Sequence, residues 1–257
     1  MSNNTEQTRI ALITGGSRGL GRNAAMHLAR DGVDVILTYN SSPAEAEQVV
    51  EEISKLGRRA VALQLDTSKV STFAKFGDQL KASLADIWQR EHFDYLLNNA
   101  GIGRYSSIAE TTEAQFDELM NVHFKGVFFL TQTLLPLIKD GGRILNVSSG
   151  LTRFALPSYG PYASMKGAIE VLTKYLAKEL GPRRIAVNVI APGAIETDFG
   201  GGRVRDNADL NQHVASLTAL GRVGLPDDIG GAISALLAPG SGWINGQRVE
   251  ASGGMFL

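Results

Sequence analysis

The chain has 257 residues, no cysteine, and 25 Lys plus Arg against 26 Asp plus Glu, a formal net charge of −1. That balance argues against a nucleic-acid binder and against a membrane-surface protein held by basic clusters. The missing cysteines remove disulfide scaffolds, thiolate nucleophiles, iron–sulfur clusters and cysteine-based zinc sites.

Residues 1–7 (MSNNTEQ) are polar, and the apolar run after them is too short for a signal-peptide core. Nothing reaches the roughly 18 apolar residues of a membrane span, so a soluble, cytoplasmic protein is expected. Residues 9–14 then form an apolar run ending in glycines, and residues 20–30 repeat Leu20, Ala24, Ala25 and Leu28 at helical spacing. A second strand is predicted over 33–37. Pro43 opens a helix bearing Val49, Val50 and Ile53, with Gly57 just past its end. A third strand is predicted over 60–65, a helix over 73–88, and a short strand over 95–97 that runs into Asn98-Asn-Ala-Gly101. Residues 116–138 predict a helix, 143–147 a strand, 162–180 a helix stopped by Gly181-Pro182, and 185–190 a strand broken by Ala191-Pro-Gly193. Strands alternating with helices predict one α/β domain over 1–257, a doubly wound parallel sheet with helices on both faces. Residues 199–221 break this rhythm. Gly200-Gly-Gly202 opens a mixed-charge stretch that predicts a mobile, substrate-covering segment.

Thr14-Gly-Gly-Ser-Arg-Gly-Leu-Gly21 lies between the first strand and first helix, with Gly15, Gly19 and Gly21 in G-x-x-x-G-x-G spacing. Glycines here let the backbone approach a pyrophosphate, while the helix N-terminus offers unpaired N–H groups; Ser17 and Leu20 belong to the same stretch. Residues 16–21 also fit half of a nucleoside-triphosphate loop, but Arg22-Asn23 stands where Lys-Ser/Thr is needed. A dinucleotide is the better ligand, in a Rossmann-type setting. An acid after the second strand would grip a ribose 2′-hydroxyl and repel a 2′-phosphate. Leu37-Thr-Tyr-Asn-Ser-Ser42 has no acid, and Asp34 lies at the strand's other end. Arg18 can pair with a 2′-phosphate, and Asn40 and Ser41 can donate to it. NADP(H) is therefore expected rather than NAD(H).

Tyr162-Ala-Ser-Met-Lys166 places a phenol and an ammonium on one helix face. A nearby cation favours the phenolate, so Lys166 is expected to lower the Tyr162 pKa from about 10 toward neutrality. Tyr162 can then donate a proton to a carbonyl oxygen or accept one from an alcohol. Ser149, ending an apolar run, can hydrogen-bond the same oxygen. A serine-hydrolase reading fails, because Asn146-Val-Ser-Ser-Gly150 lacks the leading glycine of G-x-S-x-G. His27, His92, His123 and His213 show no metal-ligand spacing, so no metal is expected.

The glycine turn, Asn98-Asn-Ala-Gly101, a serine thirteen residues before Tyr162, Y-x-x-x-K and Pro192-Gly193 together resemble the short-chain dehydrogenase/reductase family over essentially the whole chain. Within it the chain resembles NADP-dependent 3-oxoacyl-carrier-protein reductase-like and carbonyl reductase members. The resemblance implies hydride transfer between NADP(H) and a carbonyl or secondary alcohol. Tyr162 is then the acid/base, Lys166 its pKa modifier and ribose anchor, and Ser149 the group orienting the substrate oxygen. It also implies Asp66 and Thr67 at the adenine, Asn99, Ala100 and Gly101 by the adenine ribose, and Pro192, Gly193, Ile195 and Thr197 at the nicotinamide carboxamide. His123 stands where the family usually has an asparagine that supports a proton relay. Gly246 and Gly253-Gly254 resemble the family's C-terminal end, although Ala251-Ser252 stands where a hydrophobe and an aspartate are frequent. A homotetramer joined by helices 116–138 and 162–180 is implied as well. Two rivals stay open: a cofactor-retaining epimerase or dehydratase on the same scaffold, and a non-catalytic NADP-sensing regulator. Residues 151–160 and 199–221 mix Phe154, Leu156, Tyr159 and Phe199 with Arg153, Arg203 and Arg205. That mixture does not separate a thioester from a sugar, a steroid or a simple ketone.

Overall fold

Successive residues of a strand face opposite sides of a sheet, and in β1 (Ile10–Ile13) both sides are buried. Ile10 and Leu12 join one core while Ala11 and Ile13 join the other. The computed structural model describes residues 8–257; the polar start, residues 1–7, lies outside them. The further strands are β2 (Asp34–Tyr39), β3 (Ala60–Gln64), β4 (Phe93–Asn98), β5 (Ile138–Val147), β6 (Ala186–Pro192) and β7 (Arg248–Ala251). They form one parallel sheet in the order β3-β2-β1-β4-β5-β6-β7. This is the doubly wound Rossmann-type order with a strand added beyond β6.

The helices are α1 (Gly19–Arg30), α2 (Pro43–Lys55), α3 (Phe73–Trp88), α4 (Glu113–Met120), α5 (Gly126–Leu134), α6 (Gly160–Glu179), α7 (Arg203–Asp206), α8 (Ala208–Ser216) and α9 (Pro226–Leu237). One core packs Leu80 and Leu84 of α3, Leu130 and Leu134 of α5 and Ala177 of α6 against the sheet. The opposite core receives Leu28 of α1, Val49 and Ile53 of α2, and Ile229 and Ile233 of α9. Among the described residues no helix is long and apolar enough to cross a membrane, and no cluster of His, Asp or Glu has the makeup of a metal site.

The helix expected over 116–138 is in fact a series. α4 passes into a π-helical turn over Asn121–Lys125, then α5, then a 3-10 turn over Leu135–Leu137. Ile138 already belongs to β5, whose polar residues Lys139 and Asp140 are exposed. The β4–β5 register shifts beside that excursion, between Phe93 and Tyr95. β6 continues through Ala191 to Pro192 and does not break before it. Asp34 is spent on structure, accepting from Trp88 Nε1 (2.8 Å) and Arg59 Nε (3.1 Å). Residues 199–221 carry α7 and α8, whose Val204, Leu210 and Val214 pack with Met255 and Phe256.

Candidate active site

A cleft of about 800 Å³ opens along the carboxyl ends of the strands, where doubly wound sheets bind ligands. Its first wall is the glycine turn. Gly15 N–H donates to Thr38 Oγ1 (3.2 Å) and Gly16 N–H to Thr38 O (2.8 Å), fixing the turn to β2. Thr14 Oγ1 accepts from the backbone N–H groups of Asn99 (2.9 Å) and Ala100 (3.0 Å), and Asn99 Nδ2 donates to Thr14 O and Gly15 O. The side chain of Asn99 is thus engaged in holding the turn. Gly15, Ser17, Arg18, Gly19 and Leu20 line the cleft. Gly21 does not. It lies beneath the turn, where an added Cβ would sit 2.1 Å from Gly15 O and 2.5 Å from Asn99 Nδ2. Glycine is required there for close packing of the helix start against the turn. Asn40, Ser41, Asp66 and Thr67 line the same end as Arg18, while Ala100, Gly101, Pro192, Gly193, Ile195 and Thr197 line the rest. Asp66 accepts from Ser68 N–H (3.0 Å) and Ser68 Oγ (2.6 Å), which pins the end of β3.

The other end holds Ser149, Tyr162, Lys166 and His123 together. Ser149 follows β5 with extended backbone and caps the 3-10 turn over Gly150–Thr152, its Oγ accepting from Leu151 N–H (3.3 Å). Tyr162 and Lys166 are one turn apart on α6, both buried, at 8% and 5% exposure. Lys166 Nζ donates to Val147 O (2.8 Å) and lies 5.7 Å from the Tyr162 ring centre. His123 sits in the π-helical turn, edge-on to Tyr162 with ring centres 5.1 Å apart. π-turns are rare and frequent at functional sites. His123 Nε2 lies 2.8 Å from Ile102 O and 3.2 Å from Ile102 N, and Nδ1 is buried without a hydrogen-bond partner.

Burial decides the charges here. It pushes the Lys166 amine down to about 7. It also pushes the Tyr162 phenol well above its ordinary value; the Ser149 hydroxyl, hydrogen-bonded to it, works the other way without winning. The expected downward shift of Tyr162 by Lys166 is therefore not what this chain sets up. The Lys166 amine donates to the Val147 carbonyl, and loss of hydration dominates at the phenol. At neutral pH the phenol is protonated, the form that donates. His123 is pushed down to about 3 by burial and by the Lys166 charge, so its ring is neutral.

The family described as enoyl-(acyl carrier protein) reductase matches residues 15–256. The hydroxynaphthalene reductase-like protein Arp2 of Metarhizium brunneum is 34% identical over 257 residues, covering 96% of this chain and 94% of its own. Among solved structures, the promiscuous reductase LugOII, which catalyses keto-reduction at C1 during lugdunomycin biosynthesis, superposes with a TM-score of 0.92. It is 35% identical, covering 98% of this chain and 100% of its own. The angucycline C-6 ketoreductase LanV, solved with bound NADP, also gives a TM-score of 0.92, at 34% identity over 97% of this chain and 96% of its own. This chain is a short-chain dehydrogenase/reductase. It belongs to an oxidoreductase family, and its neighbours include ketoreductases.

In this short-chain dehydrogenase/reductase Phe154, Leu156, Tyr159 and Phe199 also line the cleft. Phe199 leans on Tyr162, with ring centres 5.8 Å apart. The three arginines expected to share the pocket do not line it. Arg153 pairs with Glu250, Arg205 with Asp198 and Asp206, and Arg203 lies over the Tyr105 ring. Tyr105, Val204 and Met255 line the cleft and were not singled out from the sequence. Tyr105 stands edge-on to Tyr159 at 5.0 Å, and burial with the Tyr105 hydroxyl pushes the Tyr159 phenol up to about 12. No local pattern marks Tyr105, which lies in an irregular loop after β4.

Proposed function

We propose that this chain reduces a ketone on a bulky, ring-bearing substrate with NADPH. The observation that carries the reading is the convergence of Ser149, Tyr162 and Lys166 at one end of the cleft whose other end is the glycine turn. The residues fit a dinucleotide. The turn is held open by Thr14, Thr38 and Asn99, and an α1 N-terminus without an acidic first turn faces the cleft. Arg18, Asn40 and Ser41 would hold a 2′-phosphate; no carboxylate follows β2 there, and Asp66, at the same end, is engaged by Ser68 and Lys69. Gly193, Ile195 and Thr197 would receive the carboxamide, and Lys166 the ribose. When bound, the nicotinamide supplies the hydride.

The chain's own part is orientation and the proton. Ser149 Oγ holds the substrate oxygen, Tyr162 Oη donates its proton to that oxygen, and Phe199, Phe154 and Tyr159 exclude water around it. Burial keeps the phenol protonated at neutral pH, the state from which it donates to a carbonyl oxygen. The relative named hydroxynaphthalene reductase-like, the neighbours named for keto-reduction, and an aromatic wall of Tyr105, Phe154, Tyr159 and Phe199 support a ring-bearing substrate. The test is oxidation of NADPH against NADH with aromatic ketones, aldehydes and 3-oxoacyl thioesters. Turnover greatest with NADPH and an aromatic ketone is expected; preference for NADH, or for thioesters, contradicts the reading.

His123 replaces a two-headed amide. An asparagine there could donate to Ile102 O and accept from Ile102 N–H at once, whereas one ring nitrogen serves one of them at a time. His123→Asn should hold turnover within about twofold, while His123→Ala lowers it by about tenfold by leaving both backbone groups unpaired. Unchanged kcat in the alanine variant would reject a supporting role. Phe116, Phe128, Phe129, Val171 and Tyr175 are solvent-exposed apolar side chains on α4, α5 and α6. They support the homotetramer through these helices, which the mass in solution checks.

A further inference from the structure

Resting on that reading, we infer that Glu170 is a positioning residue: it fastens the turn carrying Ser149 to the helix carrying Tyr162 and Lys166. Glu170 lies one helical turn past Lys166 on α6. One of its oxygens, Oε1, accepts from Ser148 Oγ (2.7 Å), Thr152 Oγ1 (2.7 Å) and Arg248 Nε (2.8 Å). Ser148 and Thr152 flank Ser149, so a single carboxylate grips the serine turn on both sides.

Arg248, on β7, closes the arrangement from beneath. Its second nitrogen reaches Thr152 Oγ1 (3.2 Å) and Ser149 O (3.4 Å). Its first pairs with Glu250 Oε2 (2.8 Å), and Glu250 is held in turn by both arms of Arg153. Arg153 also donates to the carbonyls of Met255 (2.5 Å) and Phe256 (3.2 Å), at the cleft wall. The Ser149 backbone touches α6 only through its neighbours. Lys166 Nζ on Val147 O (2.8 Å) and Ser148 Oγ near Lys166 O (3.4 Å) tie the start of the turn to α6, and Glu170 is the α6 residue that bonds it on both sides of Ser149.

A serine hydroxyl and a phenol must meet one substrate oxygen, and a misplacement of about 1 Å can cost about 10²-fold in rate. Charge-assisted hydrogen bonds converging on one oxygen are the strong kind. Glu170→Ala is therefore expected to lower kcat by about 10²-fold, with KM for the ketone and Kd for NADPH changed by less than about threefold. Glu170→Gln keeps size and one acceptor but loses the charge, and falls between.

The experiment pairs kinetics with hydrogen exchange on both variants of the full-length protein, with melting temperature recorded for each. Glu170→Gln serves if the alanine variant does not fold. Faster exchange confined to amides 149–154, with reduced kcat and unchanged KM and NADPH affinity, is the predicted result. Unchanged exchange in that segment overturns the inference, whatever happens to turnover. Faster exchange with undiminished kcat overturns it too, because the turn's order would then be irrelevant to the chemistry. If the parent protein turns over no ketone, the reductase reading fails separately, and the exchange result alone decides whether Glu170 holds the turn.

Discussion

Tyr162→Phe is expected to lower kcat by about 10³-fold while leaving NADPH affinity and Tm near those of the parent. The ring does the packing. It stands edge-on to His123 at 5.1 Å and against Phe199 at 5.8 Å, and phenylalanine keeps both contacts. The hydroxyl does the chemistry. It is the protonated group beside Ser149 at the end of the cleft, and burial keeps its proton in place at neutral pH. Steady-state kinetics with a fluorescence titration of NADPH separates these roles. Retained turnover would dismiss the acid assignment, and a large loss of NADPH affinity would show that the substitution had disturbed the cleft.

Lys166→Met carries the second large effect, on turnover and on the pH dependence of stability. Turnover should fall by about 10²-fold, with a higher KM for NADPH, because the amine next to Tyr162 is lost. Stability should change with pH in a defined direction. Burial depresses the amine from its ordinary 10.5 to about 7 in the folded chain. Below about pH 7 both folded and unfolded chains carry the proton, and the full cost of burying the charge acts against the fold. Between 7 and 10.5 the unfolded chain binds more protons, so the parent gains stability as pH rises. The methionine variant lacks this slope. Its Tm relative to the parent should be most favourable at pH 7 and decline toward pH 10, whatever the fixed cost of leaving Val147 O without its donor. Melting curves across that range check it, and a pH-independent difference would contradict a buried, neutralised amine.

Much of the fold was legible because β1, β2 and the inner half of β5 are buried on both faces and read as mainly apolar runs. Pro43 and Gly57 bracket α2 as expected, with Gly57 in the left-handed region at φ 74°. β7 was illegible. Its Arg-Val-Glu-Ala is an edge strand whose side chains serve an ion-pair network rather than a core. The start of β5 hid behind Lys139-Asp140-Gly141, which loop outward opposite a register shift. The π-turn at His123 leaves no trace in the spacing, since Leu119, Val122, Gly126, Leu130 and Leu134 are buried at steps of three and four, as in an unbroken α-helix.

The site was legible where spacing alone brings groups together. Tyr162 and Lys166 share a face because helices repeat every 3.6 residues, and Ser149 joins them because it ends a sheet strand. Charge was the part that spacing misjudged. A cation one turn away suggests an acidified phenol, but depth of burial is set by the whole fold, and it raised Tyr162 and lowered Lys166 instead. Gly21 stands apart from the rest of its motif. Its neighbours in sequence line the cleft, while its own position is fixed by Gly15 O and the Asn99 amide behind the turn.

The most direct measurement gives the protein NADPH carrying deuterium at the transferable C4 position, together with the aromatic ketone that it reduces fastest, and locates the label in the product by mass and NMR. One deuterium on the new carbinol carbon, formed by the parent and absent with Tyr162→Phe, is the predicted result. A product without label, or label transfer undiminished in the phenylalanine variant, would contradict the account.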